Sequence, residues 1–352
     1  MLLSLLASCL ATVALAACGS SGSEGESSAA APAEPGAVEA TPAKGGEAQF
    51  TIGWVPPTIA PFEKVLREGI KLQAEKQGMS LVVAGGEFNP AAQISAVDAL
   101  VQREVDALLV WPIDEKGIQP ALDRARAQHI PIITIDSPNA NANVNFQTND
   151  FEAAKETAEA AAAQIGAGCK VGIIEGLPIV ATLKARNEGY AKGAEASGCE
   201  ILDRQVNTED TPEKAGEIAA AWKTRFGGEM TGILAINDPS ALAAAALVGG
   251  EFKPLIFGAN GDPTAIEAIE DGQMAGTQSA PSPEIGNGLA AAAHDLLTGE
   301  KVAKTIDVSY DVVTAKNVGE YVSYEERLQG PMVVTFEGSG NSANLVTQLA
   351  GK

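Results

Sequence analysis

The chain has 352 residues, 45% of them hydrophobic, and a net charge of -21 from 24 Lys and Arg set against 45 Asp and Glu. That length exceeds one compact core and suits two lobes of ordinary domain size. The acidic balance repels phosphate backbones and anionic membrane surfaces over a screening length of about 8 to 10 Å, which argues against a nucleic-acid partner. An aromatic content of 5% argues against an all-β sandwich and favours an α/β chain.

In chain order, residues 1–17, MLLSLLASCLATVALAA, carry no charge and form an apolar run too short to remain in a bilayer, the pattern of an export signal. The run ends in LAAC, Leu15 to Cys18, which resembles the lipobox of bacterial lipoproteins: a branched residue, two small ones, and the cysteine that is lipidated after cleavage. No Lys or Arg precedes the run. Residues 18–48 then consist of Gly, Ser, Ala, Pro and Glu with almost no bulky apolar side chain, a composition that cannot bury enough surface to offset its ordering entropy. A disordered tether is expected there, holding a folded body near the membrane.

From Gln49 short apolar runs alternate with helical patterns. TIGWV precedes a segment with Phe62, Val65, Leu66, Gly69 and Ile70 on one helical face. SLVVAGG is followed by Asn89 as a cap, Pro90 in the first turn, and then Ile94, Val97 and Val101. DALLVWP leads into a helix carrying Ile118, Leu122 and Ala125, and PIITID closes the set. After a polar interval at residues 139–149, KVGIIEG, EILDRQV, GILAIND, PLIFGAN and MAGTQSA repeat the alternation. Runs that are apolar on both faces and separated by helices predict parallel sheets covered by helices, here two doubly wound lobes.

Cys169 and Cys199 each precede one of two consecutive predicted strands around a crossover helix, which brings both sulfurs to one sheet edge and predicts a disulfide in an oxidising compartment. Open parallel sheets bind ligands beyond the carboxyl ends of their strands. Those ends read Val55-Pro56, Trp111 to Asp114, Asp136-Ser137, Glu175-Gly176, Asn237-Asp238 and Asn260 to Asp262, so polar groups collect on one edge of each sheet.

The ordered series APFEKVLREGIKLQAEKQG, NPAAQISAVDALV, VDALLVWPID, IPIITIDSP, TLKARNEGYAKG, ILAINDPSALAAAAL and IEDGQMAGTQSAPSPEIGNGLAAAAHDLLTGE resembles the ribose- and galactose-type periplasmic binding proteins that serve ABC transporters. The resemblance runs from about Gln49 to Tyr321. It implies the type I periplasmic binding protein fold, an α/β architecture of two lobes joined by a three-segment hinge with a ligand clamped between them. The lobe boundaries it implies are 49–148 with 281–307 for the first and 149–280 with 308–324 for the second. Residues 325–352 are left as a tail with no place, other than that the end of the chain is expected beside the second lobe.

Position by position, the resemblance implies that Phe62 stacks on a sugar ring, Asp136 bridges ring hydroxyls, Arg186 grips ligand oxygens and Asn237 both donates and accepts. The residue types suit these roles, since a carboxylate takes two hydroxyl donors and a guanidinium offers a planar pair. Departures stand beside the matches: Ser137 follows the strand-end Asp where Arg is usual, Asn260 replaces a binding Asp, Ala280 replaces a Gln, Glu63 replaces a second aromatic, and the second lobe's aromatic is missing near Asp210. With half the sugar signature altered, ordinary ribose or pyranose specificity is not implied. Glu63 together with Asp136 and Asp150 would leave the pocket richer in acid than base, a pattern suited to a polyol, an amino sugar or another ligand with a cationic group. Trp54 and Trp111, at strand ends, are candidates to replace the lost stacking surface, although either could equally be core.

Other classes fit poorly. His129 and His294 lie on separate helical segments with no ligand spacing around them, G-x-G-x-x-G does not open the first helix, and G-x-S-x-G does not occur. The expected protein is therefore a non-enzymatic, cofactor-free, monomeric solute-binding lipoprotein outside the membrane, closing on a sugar or polyol and presenting the closed form to an ABC permease. Presentation to a membrane receptor or kinase is the alternative, as is a binding protein for a non-carbohydrate molecule.

Overall fold

The computed structural model describes residues 39–41, 49–138, 140–330 and 332–349. Cys18, where lipidation is expected, and the segments expected to be an export signal and most of a tether lie outside the described residues. The first lobe is built on a nine-stranded sheet. Its strands and helices begin with β1 (Glu39–Thr41), β2 (Phe50–Val55), α1 (Pro61–Lys76), β3 (Met79–Val83), α2 (Pro90–Gln102), β4 (Ala107–Val110), α3 (Gln119–Ala127), β5 (Ile132–Ile135) and β6 (Val144–Thr148). The second lobe follows with α4 (Asp150–Ile165), β7 (Lys170–Glu175), α5 (Ala181–Ala196), β8 (Glu200–Val206), α6 (Pro212–Phe226), β9 (Gly232–Ala235), α7 (Asp238–Ala245), β10 (Leu255–Asn260), α8 (Pro263–Glu270) and β11 (Gly276–Ser279). The chain then returns through α9 (Ser282–Thr298) and β12 (Thr305–Val308), crosses again to β13 (Asp311–Thr314), and ends in α10 (Tyr324–Gln329), β14 (Met332–Ser339) and β15 (Ser342–Leu349).

The first sheet runs β1-β3-β2-β4-β5-β6-β12-β15-β14 and the second β13-β11-β10-β9-β7-β8. Pairing is parallel except where β1 meets β3, β14 meets β15, and β13 meets β11. Alternate residues of each strand feed cores on opposite faces. Ile52, Trp54, Leu109 and Ile133 enter one cluster, while Val55, Leu108, Val110 and Ile132 enter another. This two-sided burial is why the strands read as continuous apolar runs.

Three segments cross between the sheets: β6 to α4, β11 to α9, and β12 to β13. Helix α9 packs on α1 with almost no gap. A Cβ at Gly69 would stand 2.5 Å from the Pro283 carbonyl oxygen, so only glycine fits. Helices α4 and α5 approach in the same way, since a Cβ at Gly189 would collide with the Phe151 carbonyl. That approach sets Arg186 of α5 beside Asp150 at the start of α4.

Two features depart from the sequence reading. The polar interval at residues 139–149 holds strand β6, whose Val144 and Phe146 are fully buried while Asn145 is satisfied by Thr134 and Ser137. Alternating polar residues hid it. The end of the chain does not join the second lobe either: β15 pairs with β12 in the first sheet and β14 closes a hairpin upon it, because Phe336 and Leu345 pack against the cluster containing Phe146. In the second lobe Cys169 and Cys199 are joined by a disulfide, with their Cα atoms 4.6 Å apart.

Candidate functional site

A cavity lies between the carboxyl ends of the two sheets, with about 590 Å³ of empty space including its mouth. The first lobe contributes Thr58, Phe62, Glu63, Phe88 and Trp111, and the second Thr182, Arg186, Asp210, Asn237, Asn260 and Asp262. Helix α1 aims its first turn at this space. Pro61 presets the helical φ, Phe62 turns toward the core, and Glu63 takes the next position, favoured by the helix dipole. Phe62 meets Trp111 edge-on with ring centroids 5.8 Å apart, so the two rings form one apolar wall.

The opposite wall is polar. Asn237 caps α7 by accepting from the Ser240 amide at 3.0 Å and donates to the Asp210 carboxylate at 3.0 Å. Asp210 has φ 51°, a left-handed turn that lifts its side chain off the loop before α6. Asn260 is strained at φ 122° and accepts from Arg186 Nη1 at 3.3 Å. Arg186, 6% exposed, gives Nε at 2.9 Å and Nη2 at 2.6 Å to one oxygen of Asp150, and Nη1 at 2.6 Å to the Ile236 carbonyl. Behind this wall Asp238 collects the amides of Gly261 and Asp262 and the Thr277 hydroxyl, which fixes the turn after β10.

Three carboxyls face the cavity with their proton affinity raised. Burial pushes Glu63 up to about 7 and Asp210 up to about 6, and the Asp210 charge adds to the rise at Glu63. Burial, then the neighbouring Asp238 and Glu63, hold Asp262 well above the carboxylate range. Glu63 Oε2 and Asp262 Oδ1 are buried without a hydrogen-bond partner.

Of the sequence candidates, Phe62, Glu63, Trp111, Arg186, Asn237 and Asn260 line the cavity. Trp54, Asp136 and Asp150 do not. Trp54 is fully buried in the core beneath Phe62, because it alternates inward with Ile52 along β2. Asp136, at φ 47°, turns its carboxylate back toward the first crossing segment, where Oδ1 accepts from the Thr148 amide at 2.7 Å and from Gln147 at 3.1 Å. The Thr148 hydroxyl stands 2.6 Å from Asp136 Oδ2 and 2.6 Å from Asp150 Oδ2. One hydroxyl carries one proton, so it satisfies one carboxylate as donor and needs a proton from the other. Burial, and then the Asp150 charge, raise Asp136 well above its ordinary range. A chain of bonds therefore runs from Asp136 through Thr148 to Asp150 and on to Arg186, spanning both lobes. Gln278 and Tyr310 reach Asp150 from the other two crossings at 3.3 and 3.4 Å. The expected acid excess is present, but Asp210 and Asp262 supply it in place of Asp136 and Asp150.

Asp262 was visible as a strand-end residue, and Asp210 only as the place where an aromatic is lacking. Among the described residues no group of three or more His, Cys, Asp or Glu is arranged to hold a metal ion. Among them, too, no helix is long and apolar enough to cross a membrane.

Residues 52–301 match the model of the periplasmic binding protein domain. The chain belongs to the periplasmic binding protein family. Within it the likeness is to the ribose type: the ribose import binding protein of Bacillus subtilis is 29% identical over 276 residues, covering 77% of this chain and 90% of that one. A solute-binding protein from Actinobacillus succinogenes, solved with D-allose, superposes with a TM-score of 0.71 at 23% identity over 78% of this chain and 100% of its own. Another from Bacillus halodurans, solved with myo-inositol, gives 0.71 at 21% identity over 79% of this chain and 98% of that one. These two share the type I periplasmic binding protein fold with this chain. Sugar-type periplasmic binding proteins are binding proteins of ABC transporters, and they work outside the cytoplasm.

Proposed function

We propose that this chain is the solute-binding lipoprotein of an ABC importer, tethered outside the membrane through Cys18, and that it captures a sugar, a polyol or a sugar-like molecule by hinge closure without changing it chemically. The observation that carries this reading is the cavity walled by both lobes, with an aromatic pair on one side and hydrogen-bonding groups on the other. Ligands of that shape combine C-H faces with polar edges. Residues 49–148 with 281–307 act as one moving body and 149–280 with 308–324 as the other. A ligand touching both favours the closed form by its differential affinity for it. A single copy suffices, since the cavity takes every wall from one chain.

Thermal unfolding of the purified protein against pentoses, hexoses, polyols and their amino derivatives tests the reading. A ligand at about a thousand times its dissociation constant adds about 4 kcal/mol, a shift on the order of ten degrees for lobes of this size. Small-angle scattering should then show a smaller radius of gyration with that ligand. No shift with any member of the panel would remove the sugar and polyol reading. For the anchor, Cys18→Ala should move the protein from the membrane fraction to the soluble one.

A further inference from the structure

The cation of the cavity is engaged, while buried carboxyl oxygens of both lobes stand open. Arg186 is the cation among its lining residues, but its Nε and Nη2 are committed to Asp150 and its Nη1 to Ile236 and Asn260. Asn237 has its oxygen on Ser240 and its nitrogen on Asp210. The charged groups left open are carboxyl oxygens: Asp262, 2% exposed, presents Oδ1 with no partner, and Glu63 presents Oε2 likewise from the other lobe. Phe62, Phe88 and Trp111 supply ring faces beside them. An anionic ligand would meet these carboxyls with no unpaired cation among the lining residues, where the open donors are the neutral groups of Thr182, Asn260 and Trp111.

We propose, on the basis of the solute-binding reading above, that the ligand carries a cationic amine, as an amino sugar or aminopolyol does, and that its ammonium sits between Glu63 of the first lobe and Asp262 of the second, near Asp210. An ammonium offers three donors to oxygens that otherwise have none, and a cation gains further from the aromatic wall. It also couples charge to closure. Bringing the lobes together brings Glu63 toward Asp210 and Asp262, and like charges resist that approach until a cation stands among them. A neutral polyol leaves the repulsion in place or requires the acids to take up protons. The three carboxyls do not form a metal-holding group, which leaves an organic cation as the fitting occupant.

The raised proton affinity of the three acids gives the reading a second signature. Facing the ammonium are Glu63, Asp210 and Asp262, with Asp238 behind Asp262 and the Arg186 and Asp150 pair alongside. A bound cation favours their ionised forms, so binding near neutral pH releases protons and weakens as pH falls through the range where Glu63 titrates.

The test is a matched panel measured by thermal shift and titration calorimetry: D-glucosamine with D-glucose and N-acetyl-D-glucosamine, D-galactosamine with D-galactose, glucamine with sorbitol, and 2-amino-1,3-propanediol with glycerol. At least one amine is expected to bind tenfold or more tightly than its neutral twin, with protons released to the buffer. Glu63→Gln and Asp262→Asn should each weaken that amine by tenfold or more and reduce the release. If Asp262→Asn does not fold, Glu63→Gln carries the test alone, since Glu63 sits in the first turn of α1. Neutral members binding as tightly as their amines would overturn the amine and leave the sugar and polyol reading standing. An amine whose affinity ignores Glu63→Gln would overturn the placement, and no binding across all pairs would overturn both.

Discussion

Replacing Arg186 by Met keeps an unbranched aliphatic stem and removes the charge that pairs with Asp150 inside the second lobe, beside the hinge. The guanidinium makes two bonds to Asp150, one to the Ile236 carbonyl and one to Asn260, and the paired side chains are 7% and 2% exposed. Breaking a buried pair by removing one partner costs about 3 to 5 kcal/mol, because the remaining charge is left without compensation. Asp150 would retain the Thr148 hydroxyl at 2.6 Å, Gln278 at 3.3 Å and Tyr310 at 3.4 Å, so the lower end applies. We expect a loss of about 3 kcal/mol and a fall in melting temperature of roughly 6 to 12 °C. Urea unfolding followed by circular dichroism at pH 7.5 measures it. The double variant Asp150→Asn, Arg186→Met should recover to within about 1 kcal/mol of the parent, since replacing both members of a buried pair is often neutral. A single variant losing less than about 1 kcal/mol, or a double variant whose losses simply add, would refute the claim that this pair is a tightly coupled buried unit.

Without ligand, stability should fall with rising pH. The Glu63 carboxyl goes from 4.5 to about 7 on folding, so its share of stability is complete below 4.5 and is lost as pH rises toward 7. That amounts to about 3 kcal/mol at most. Glu63→Gln should flatten that slope in urea unfolding from pH 4 to 8; an unchanged slope would place the titration elsewhere. The Cys169 and Cys199 bond closes a loop of sequence separation 30. Cys169→Ala, Cys199→Ala should cost about 3 to 4 kcal/mol by chain entropy, read as a lower urea midpoint than that of the oxidised parent. Deleting residues 331–352 should remove two apolar anchors, Phe336 and Leu345, worth roughly 2 to 4 kcal/mol together. It also leaves β12 as a bare sheet edge, so faster amide exchange at Thr305, whose amide donates to the Asn341 carbonyl, is the local readout, and unchanged exchange would count against a structural role for the hairpin.

The strand and helix rhythm was legible because its causes are local. Parallel strands buried on both faces must be apolar throughout, and helices between them must carry one apolar stripe, so TIGWV, DALLVWP and GILAIND declare themselves without any contact being known. Strand β6 escaped because its polar Asn145 and Gln147 are satisfied by partners distant in sequence, on β5 and in the turn after it. The closing hairpin escaped because its exposed, alternating strands take their place only by completing the edge beside β12.

For the site, the sequence by itself determined which residues stand at the carboxyl ends of strands, since that follows from where each apolar run stops. It did not determine where each of them points. Asp136 and Asp262 look alike in the sequence, a carboxylate just after a buried strand. Only the tertiary structure separates them, because a left-handed turn sends Asp136 back to Thr148 and the hinge, while Asp238 holds the turn after β10 so that Asp262 faces the cavity. The deciding forces are hydrogen bonds between groups 12 and 24 residues apart, which no local pattern encodes.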